Sequence, residues 1–216
     1  LVDLDADGRN DLLSGSWPGE IHWFRRKPNG TYAAAETLRT AGGTVNVGRA
    51  SAAMASDWDG DGDFDLLVGT IEGTVFLVPN TGSTHKPVFG TSTALRTDGK
   101  PIKVDSDAGP HVADWDGDGK RDLLVGSGSG GVLWFRNLGT NTQPTLAPAA
   151  TLLEDASIQT VGTPKRSAGR SKPVAADWNG DGRLDLVVGD FWMNAETGGS
   201  ATHGSVWVYL RQPAPP

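Results

Sequence analysis

The sequence predicts an all-β repeat protein assembled from β-propeller-type blades of four antiparallel strands. Two observations carry this. Four Asp-rich segments recur in phase: DLDADGRND at 3–11, DWDGDGDFD at 57–65, DWDGDGKRD at 114–122 and DWNGDGRLD at 177–185, their starts 54, 57 and 63 residues apart. Each is followed by an apolar run (DLLSG, DLLVG, DLLVG, DLVVG), a Gly-bounded turn and a second apolar run, EIHWFRR, TVFLVPN, GVLWFRN or SVWVYLR. Short runs rich in Val, Leu, Trp and Phe between Gly turns read as strands, and a period of this length suits one blade with its loops.

Within each unit the expected order is strand, Asp loop, strand, turn, strand. A weaker outer strand is expected after Thr31, after Pro87 and after Pro144. The blades fall at about 1–50, 51–107, 108–170 and 171–212 of a single region 1–216, with a Pro-rich tail at 213–216. Four such units form either a closed four-bladed ring or an arc of a larger propeller. The chain opens at Leu1, two residues before the first Asp, which reads as an excerpted or processed piece.

Composition narrows the function classes. The absence of cysteine removes disulfide frameworks and thiolate metal sites from consideration. No apolar run approaches the roughly 18 residues of a membrane span, so insertion into a membrane is not expected. The formal charge of −7 argues against nucleic acid. That acidity is concentrated, since 15 of the 26 acidic residues are Asp at ligand-type positions of the four loops. One Ca²⁺ per loop would bring the net charge to about +1.

Asp at every second position turns alternate carboxylates toward one centre, the arrangement a hard divalent cation requires. The first, third, fifth and ninth loop positions supply side chains: Asp3, Asp5, Asp7 and Asp11; Asp57, Asp59, Asp61 and Asp65; Asp114, Asp116, Asp118 and Asp122; Asp177, Asn179, Asp181 and Asp185. The seventh position would add a backbone carbonyl, from Arg9, Asp63, Lys120 and Arg183. A Gly stands at the sixth position every time, for the sharp turn around an ion. An EF-hand shares this start but needs Glu at position twelve and flanking helices; Ser14, Val68, Val125 and Val188 stand there, inside β-type runs. Bare Asp-Gly turns are the other alternative, yet several like charges this close repel strongly without a counter-ion. Four Ca²⁺ ions are therefore expected, with the Asn179 loop among the weaker sites.

No other chemistry stands out. The four histidines are scattered, with no HExxH or GxSxG motif, and GSGSGG at 126–131 lacks the Lys-Ser/Thr of a phosphate cradle. Trp58, Trp115 and Trp178 recur at the second loop position and are expected to pack between blades, as are Trp23 and Trp134 in the third strands. Trp17, Phe191 and Trp192 break the repeat. The last two lie in a turn 11 residues longer than its counterparts, at 190–203, and non-repeating aromatic loops are where a ligand face is usually built.

The repeated DxDxDG-x-x-D-L-L-V-G pattern resembles the FG-GAP or VCBS repeat family of calcium-loop blades found in integrin α-subunit propellers and many secreted bacterial proteins. The resemblance spans nearly the whole chain. It implies mainly structural calcium in a non-catalytic module that binds a carbohydrate or protein. Calcium supply points to an extracellular or periplasmic setting. Only four blades are visible, fewer than the family closes with, so a homo-oligomer or a partner chain completing the propeller is one expectation beside a closed ring or an arc. Two other classes are the propeller region of a carbohydrate-active enzyme such as a polysaccharide lyase, and a structural subunit of a surface assembly.

Overall fold

The computed structural model describes residues 1–40, 42–155, 169–193 and 202–212, and among them all regular structure is β. Blade 1 holds β1 (Leu12–Gly15), β2 (Ile21–Phe24) and β3 (Glu36–Thr37), with Val2 bridging Asp11 where an inner strand would run. A small hairpin, β4 (Arg39–Thr40) and β5 (Gly43–Thr44), leads to blade 2: β6 (Ala52–Ser56), β7 (Asp65–Gly69), β8 (Val75–Val78) and β9 (Thr93–Ala94). A second hairpin, β10 (Arg96–Thr97) and β11 (Lys100–Pro101), precedes blade 3: β12 (Gly109–Ala113), β13 (Asp122–Gly126), β14 (Val132–Phe135) and β15 (Ala150–Leu153). Blade 4 holds β16 (Gly169–Ala176), β17 (Asp185–Met193) and β18 (Thr202–Tyr209). Each blade is an antiparallel meander in sequence order, and the outer strands lie in the segments expected from sequence.

Successive side chains of a strand point to opposite faces, so each middle strand serves two interfaces at once. In β7, Leu66 and Val68 join Leu4, Ile21 and Trp23 of blade 1, while Leu67 joins Trp58, Leu123 and Val125 toward blade 3. In β13, Leu124 faces blade 4 and packs with Trp115, Leu186 and Val188. Blade stacking thus builds three apolar seams, and each fully buried Leu or Val contributes about 1.5–3 kcal/mol. That is why the middle strands read as unbroken apolar runs.

The glycine that ends each of these runs has a steric reason. A Cβ at Gly15, Gly69 or Gly126 would lie 2.0, 2.1 or 2.0 Å from the carbonyl oxygen of Ser51, Ala108 or Ser171, residues at the start of the next blade's inner strand. Neighbouring blades approach backbone to backbone at this point, and only Gly fits.

The long turn expected at 190–203 is corrected in part. β17 and β18 continue as paired strands through Asp190↔Ser205, Phe191↔Gly204, Trp192↔His203 and Met193↔Thr202. A run of aromatic and apolar residues favours continuation of the ladder over a loop. Phe191 and Trp192 therefore sit on a hairpin arm; 194–201, like the tail at 213–216, lies outside the described residues.

Candidate metal sites

The four Asp loops connect the inner and middle strands of their blades and share one backbone scaffold. The sixth-position Gly has φ between +84° and +96° in Gly8, Gly62, Gly119 and Gly182. Its N–H donates to the first-position carboxylate at 2.9 Å in three loops, from Gly8 to Asp3, Gly119 to Asp114 and Gly182 to Asp177. The seventh-position N–H donates to the fifth carboxylate in all four, from Arg9 to Asp7, Asp63 to Asp61, Lys120 to Asp118 and Arg183 to Asp181, at 2.9–3.0 Å. These bonds wrap the chain so that alternate carboxylates converge.

Three groups result: Asp3, Asp5 and Asp7; Asp57, Asp59 and Asp61; Asp114, Asp116 and Asp118, each with ligand oxygens within 4.8 Å of one another. Asp177 and Asp181 keep the same loop positions, with Asn179 between them donating to Asp181 at 2.9 Å. One oxygen in each group is buried without a hydrogen-bond partner, Oδ1 of Asp5, Asp57 and Asp114, and so is Oδ1 of Asp63 in the second loop. A buried, unpartnered carboxylate oxygen beside other carboxylates is costly unless a cation meets it. The residues fit a hard divalent ion on that ground.

Charge responds accordingly. Burial, and then the charges of Asp7 and Asp11, push the Asp5 carboxyl up; burial followed by Asp61, Asp59 and Asp57 does the same to Asp63. Basic side chains share part of the load. Arg136 Nε lies 2.5 Å from Asp116, Arg121 Nη2 reaches Asp57 of the preceding loop at 3.0 Å, and Arg183 Nη2 meets Asp181 at 2.5 Å. Desolvation is the largest single influence on Asp118 and pushes its carboxyl up, but the Lys120 N–H and the Arg136 and Lys120 side chains together hold it below the usual range.

The ninth-position carboxylates stand apart from the converging groups and have a role that the sequence did not show. Asp11, Asp65, Asp122 and Asp185 are all buried. One oxygen of each accepts from the backbone N–H two residues past the third strand, from Arg26, Asn80, Asn137 and Arg211 at 2.7–2.8 Å. The other accepts from the second-position N–H of Trp58, Trp115 and Trp178 at 3.1–3.2 Å in blades 2 to 4. In blades 1 and 3 an indole joins in: Trp23 donates to Asp11 at 2.7 Å and Trp134 to Asp122 at 3.0 Å. The signal was present in the sequence as a Trp twelve residues after the loop's last Asp. Asp65 has no such indole, and burial pushes its carboxyl up to about 6.

The aromatic residues divide. Trp23, Trp58 and Trp115 pack between blades as expected; Trp178 does not, being 62% exposed. Trp17 is 61% exposed on the opposite, strand-turn side of blade 1, and the Arg170 guanidinium lies 5.3 Å from the Phe191 ring in blade 4. The structure does not bring Trp17 and Phe191 into one cluster.

Antiparallel blades stacked face to face, each with a carboxylate loop between its inner and middle strands, define a repeat protein of the β-propeller type. The profile of the FG-GAP-like repeat matches residues 3–68, 57–125 and 114–188, and the chain belongs to that family. No curated protein matches it. Among solved structures, an Agrocybe aegerita lectin described by its specific recognition of non-reducing terminal N-acetylglucosamine is similar, at 20% identity and a TM-score of 0.48 over 96% of this chain and 50% of that one. The chain spans about half the length of that lectin.

Proposed function

We propose that the chain is a calcium-binding, non-catalytic β-propeller-type module for extracellular or periplasmic binding or scaffolding, with a carbohydrate or protein as ligand. The observation that carries the calcium reading is the set of converging carboxylates whose buried oxygens lack partners. The first, third and fifth side chains and the seventh carbonyl of each loop would hold the ion. Asp11, Asp65, Asp122 and Asp185 would complete the sets, since a carboxylate has about four lone-pair sites and protein donors fill only part of them. When bound, the ion supplies neutralisation and cross-links the loop. The chain's own residues position the carboxylates and tie the loop to the third strand, so binding free energy becomes folding free energy. An extracellular setting fits because modules of this kind fill where calcium is about millimolar.

Support for the ligand class is narrower: an exposed Trp17 on the non-repeating turn of blade 1 suits sugar stacking or a protein contact. The test is calorimetric titration of the chelated chain with Ca²⁺, paired with capture from a glycan array with and without the ion. Saturable binding of about four ions is expected. A titration without heat would overturn the metal reading. Glycan capture unaltered by Trp17→Ala would remove Trp17 from the ligand face.

A further inference from the structure

The eighth residue of each Asp loop stands between the seventh carbonyl and the ninth carboxylate. In the second and fourth loops it is apolar, Phe64 or Leu184, and packs in the seam against the preceding blade. In the third loop it is Arg121, and its guanidinium crosses the seam: Nη2 donates to Asp57 Oδ2 of the second loop at 3.0 Å. The pair is half made. Asp57 Oδ1 and Arg121 Nη1 are both buried and lack a partner among the described residues, so Asp57 keeps one oxygen for an ion while Arg121 fixes the direction of the other. The loop that receives this guanidinium is the one with the most acids, Asp57, Asp59, Asp61, Asp63 and Asp65. A second contact runs beside the first. Asn141, in the loop after the third strand of blade 3, brackets Lys120: its Nδ2 donates to the Gly119 carbonyl at 2.9 Å and its Oδ1 accepts from the Arg121 N–H at 2.8 Å. The Asn141 carbonyl in turn lies over the second loop, 3.1 Å from where a Cβ on Gly60 would stand.

We propose that Arg121 is a positioning residue that couples the second and third calcium loops, so that filling either one raises the affinity of the other. The inference rests on the calcium reading above. Closure of the third loop fixes Lys120 and Asp122, one on each side of Arg121, and with them the root of the side chain that orients Asp57. Closure of the second loop fixes Asp57, and so the far end of the same side chain. Whichever loop closes first orders the shared pair, the other closes with less left to order, and the coupling is positive and reciprocal. The first and second loops have no such link, because Phe64 stands where Arg121 would be. The charge of Arg121 also acts on both loops directly, so the coupling is read as a difference between two titrations rather than as an absolute affinity.

Calcium titration of the full chain, isotope-labelled at glycine and followed by NMR, tests this. The amides of Gly8, Gly62 and Gly119, at the sixth positions, report the first three loops separately. Asp59→Ala combined with Asp61→Asn disables the second loop but keeps Asp57. It moves the Gly119 midpoint to about fivefold higher calcium or more and leaves the Gly8 midpoint in place. In the Arg121→Met background the same pair of substitutions no longer moves Gly119. Should the doubly substituted chain fold poorly, the milder Asp59→Asn gives a smaller shift of Gly119 and none of Gly8. A Gly119 midpoint that stays in place, that moves no further than Gly8, or that still moves in the Arg121→Met background overturns the coupling and leaves the calcium reading standing. Sixth-position amides that ignore calcium altogether overturn the calcium reading and the coupling with it.

Discussion

The second and fourth Asp loops run along the same backbone path with very different charge. The second-position N–H reaches the ninth carboxylate at 3.1 Å in both, and the seventh N–H reaches the fifth carboxylate at 3.0 and 2.9 Å. Yet the second loop carries Asp57, Asp59, Asp61, Asp63 and Asp65, whereas the fourth has Asp177, Asp181 and Asp185 around Asn179. Two orphaned buried oxygens, on Asp57 and Asp63, mark the second loop, and Arg121 from the next blade pairs only with Asp57. In the fourth, Arg183 of the same loop closes on Asp181, whose carboxyl is held low by the Arg183 N–H and the Asn179 amide. Glycine turns and side-chain-to-backbone bonds set the path; the acidic count sets how strongly the loop demands a cation.

On the proposed calcium reading, removing the ion is the largest perturbation. With free ion at about a thousand times the dissociation constant, one site contributes about 4 kcal/mol, and at about 2–4 °C per kcal/mol for a chain of this size chelation should lower Tm by about 10 °C or more. The second loop should fill first and the fourth last, as resolved by titration of single-loop variants. The pH dependence should reverse between the two states. In the chelated chain Asp65, pushed up to about 6 by burial, binds more protons folded than unfolded. Its contribution is fully present below the ordinary carboxylate range and is lost as pH rises through about 6. Chelated protein should melt higher at pH 5 than at pH 7, whereas calcium-loaded protein should melt lower at pH 5, because protons compete with the ion. A common slope in both states would mean that no ion-binding carboxylates govern stability.

The ninth position sharpens the comparison, because its carboxylate also ties the loop to the third strand through backbone N–H groups. Asp122→Asn puts an amide where the Trp115 N–H, the Asn137 N–H and the Trp134 indole all need acceptors. A lost buried acceptor costs about 1–3 kcal/mol, so Tm should fall by several degrees with or without calcium. Asp116→Asn, in the converging group, should lower Tm only while calcium is present. If the two variants respond alike to chelation, the strand-tying role of Asp122 is wrong.

Much of this was legible in the sequence, and particular residues show why the rest was not. The Asp spacing and the DLLVG runs placed all four loops and every middle strand, because burial on both faces and alternation of carboxylates both leave local patterns. The outer strands were found through their flanking turn residues. The arms of the last hairpin were not: residues 190–193 looked like a loop because they depart from the repeat, yet pairing with Thr202–Tyr209 decides their structure, and pairing is non-local. The tryptophans misled in a similar way. Trp58, Trp115 and Trp178 are indistinguishable by position, yet blades 3 and 4 bury the first two, whereas the described residues leave Trp178 exposed.

Two smaller substitutions bring single loops closer to their counterparts. Asn179→Asp gives the fourth loop the charge of the first and should raise its calcium affinity on the order of tenfold, read by calorimetry of that loop with the other three disabled. The smallest effect concerns the first loop. Its fourth position is Ala6 at φ +52°, where the other loops place Gly60, Gly117 and Gly180 at +74° to +79°. A left-handed alanine costs about 1–2 kcal/mol, which glycine avoids; glycine's extra freedom in the unfolded chain returns up to about 1 kcal/mol of that. Ala6→Gly should therefore raise Tm by a few degrees at most. The gain should be present with calcium and shrink without it, because the strained turn is enforced most strictly when the loop closes on an ion. An equal gain in both states would place the strain in the backbone path alone, as the shared scaffold of the second and fourth loops would then imply for all four.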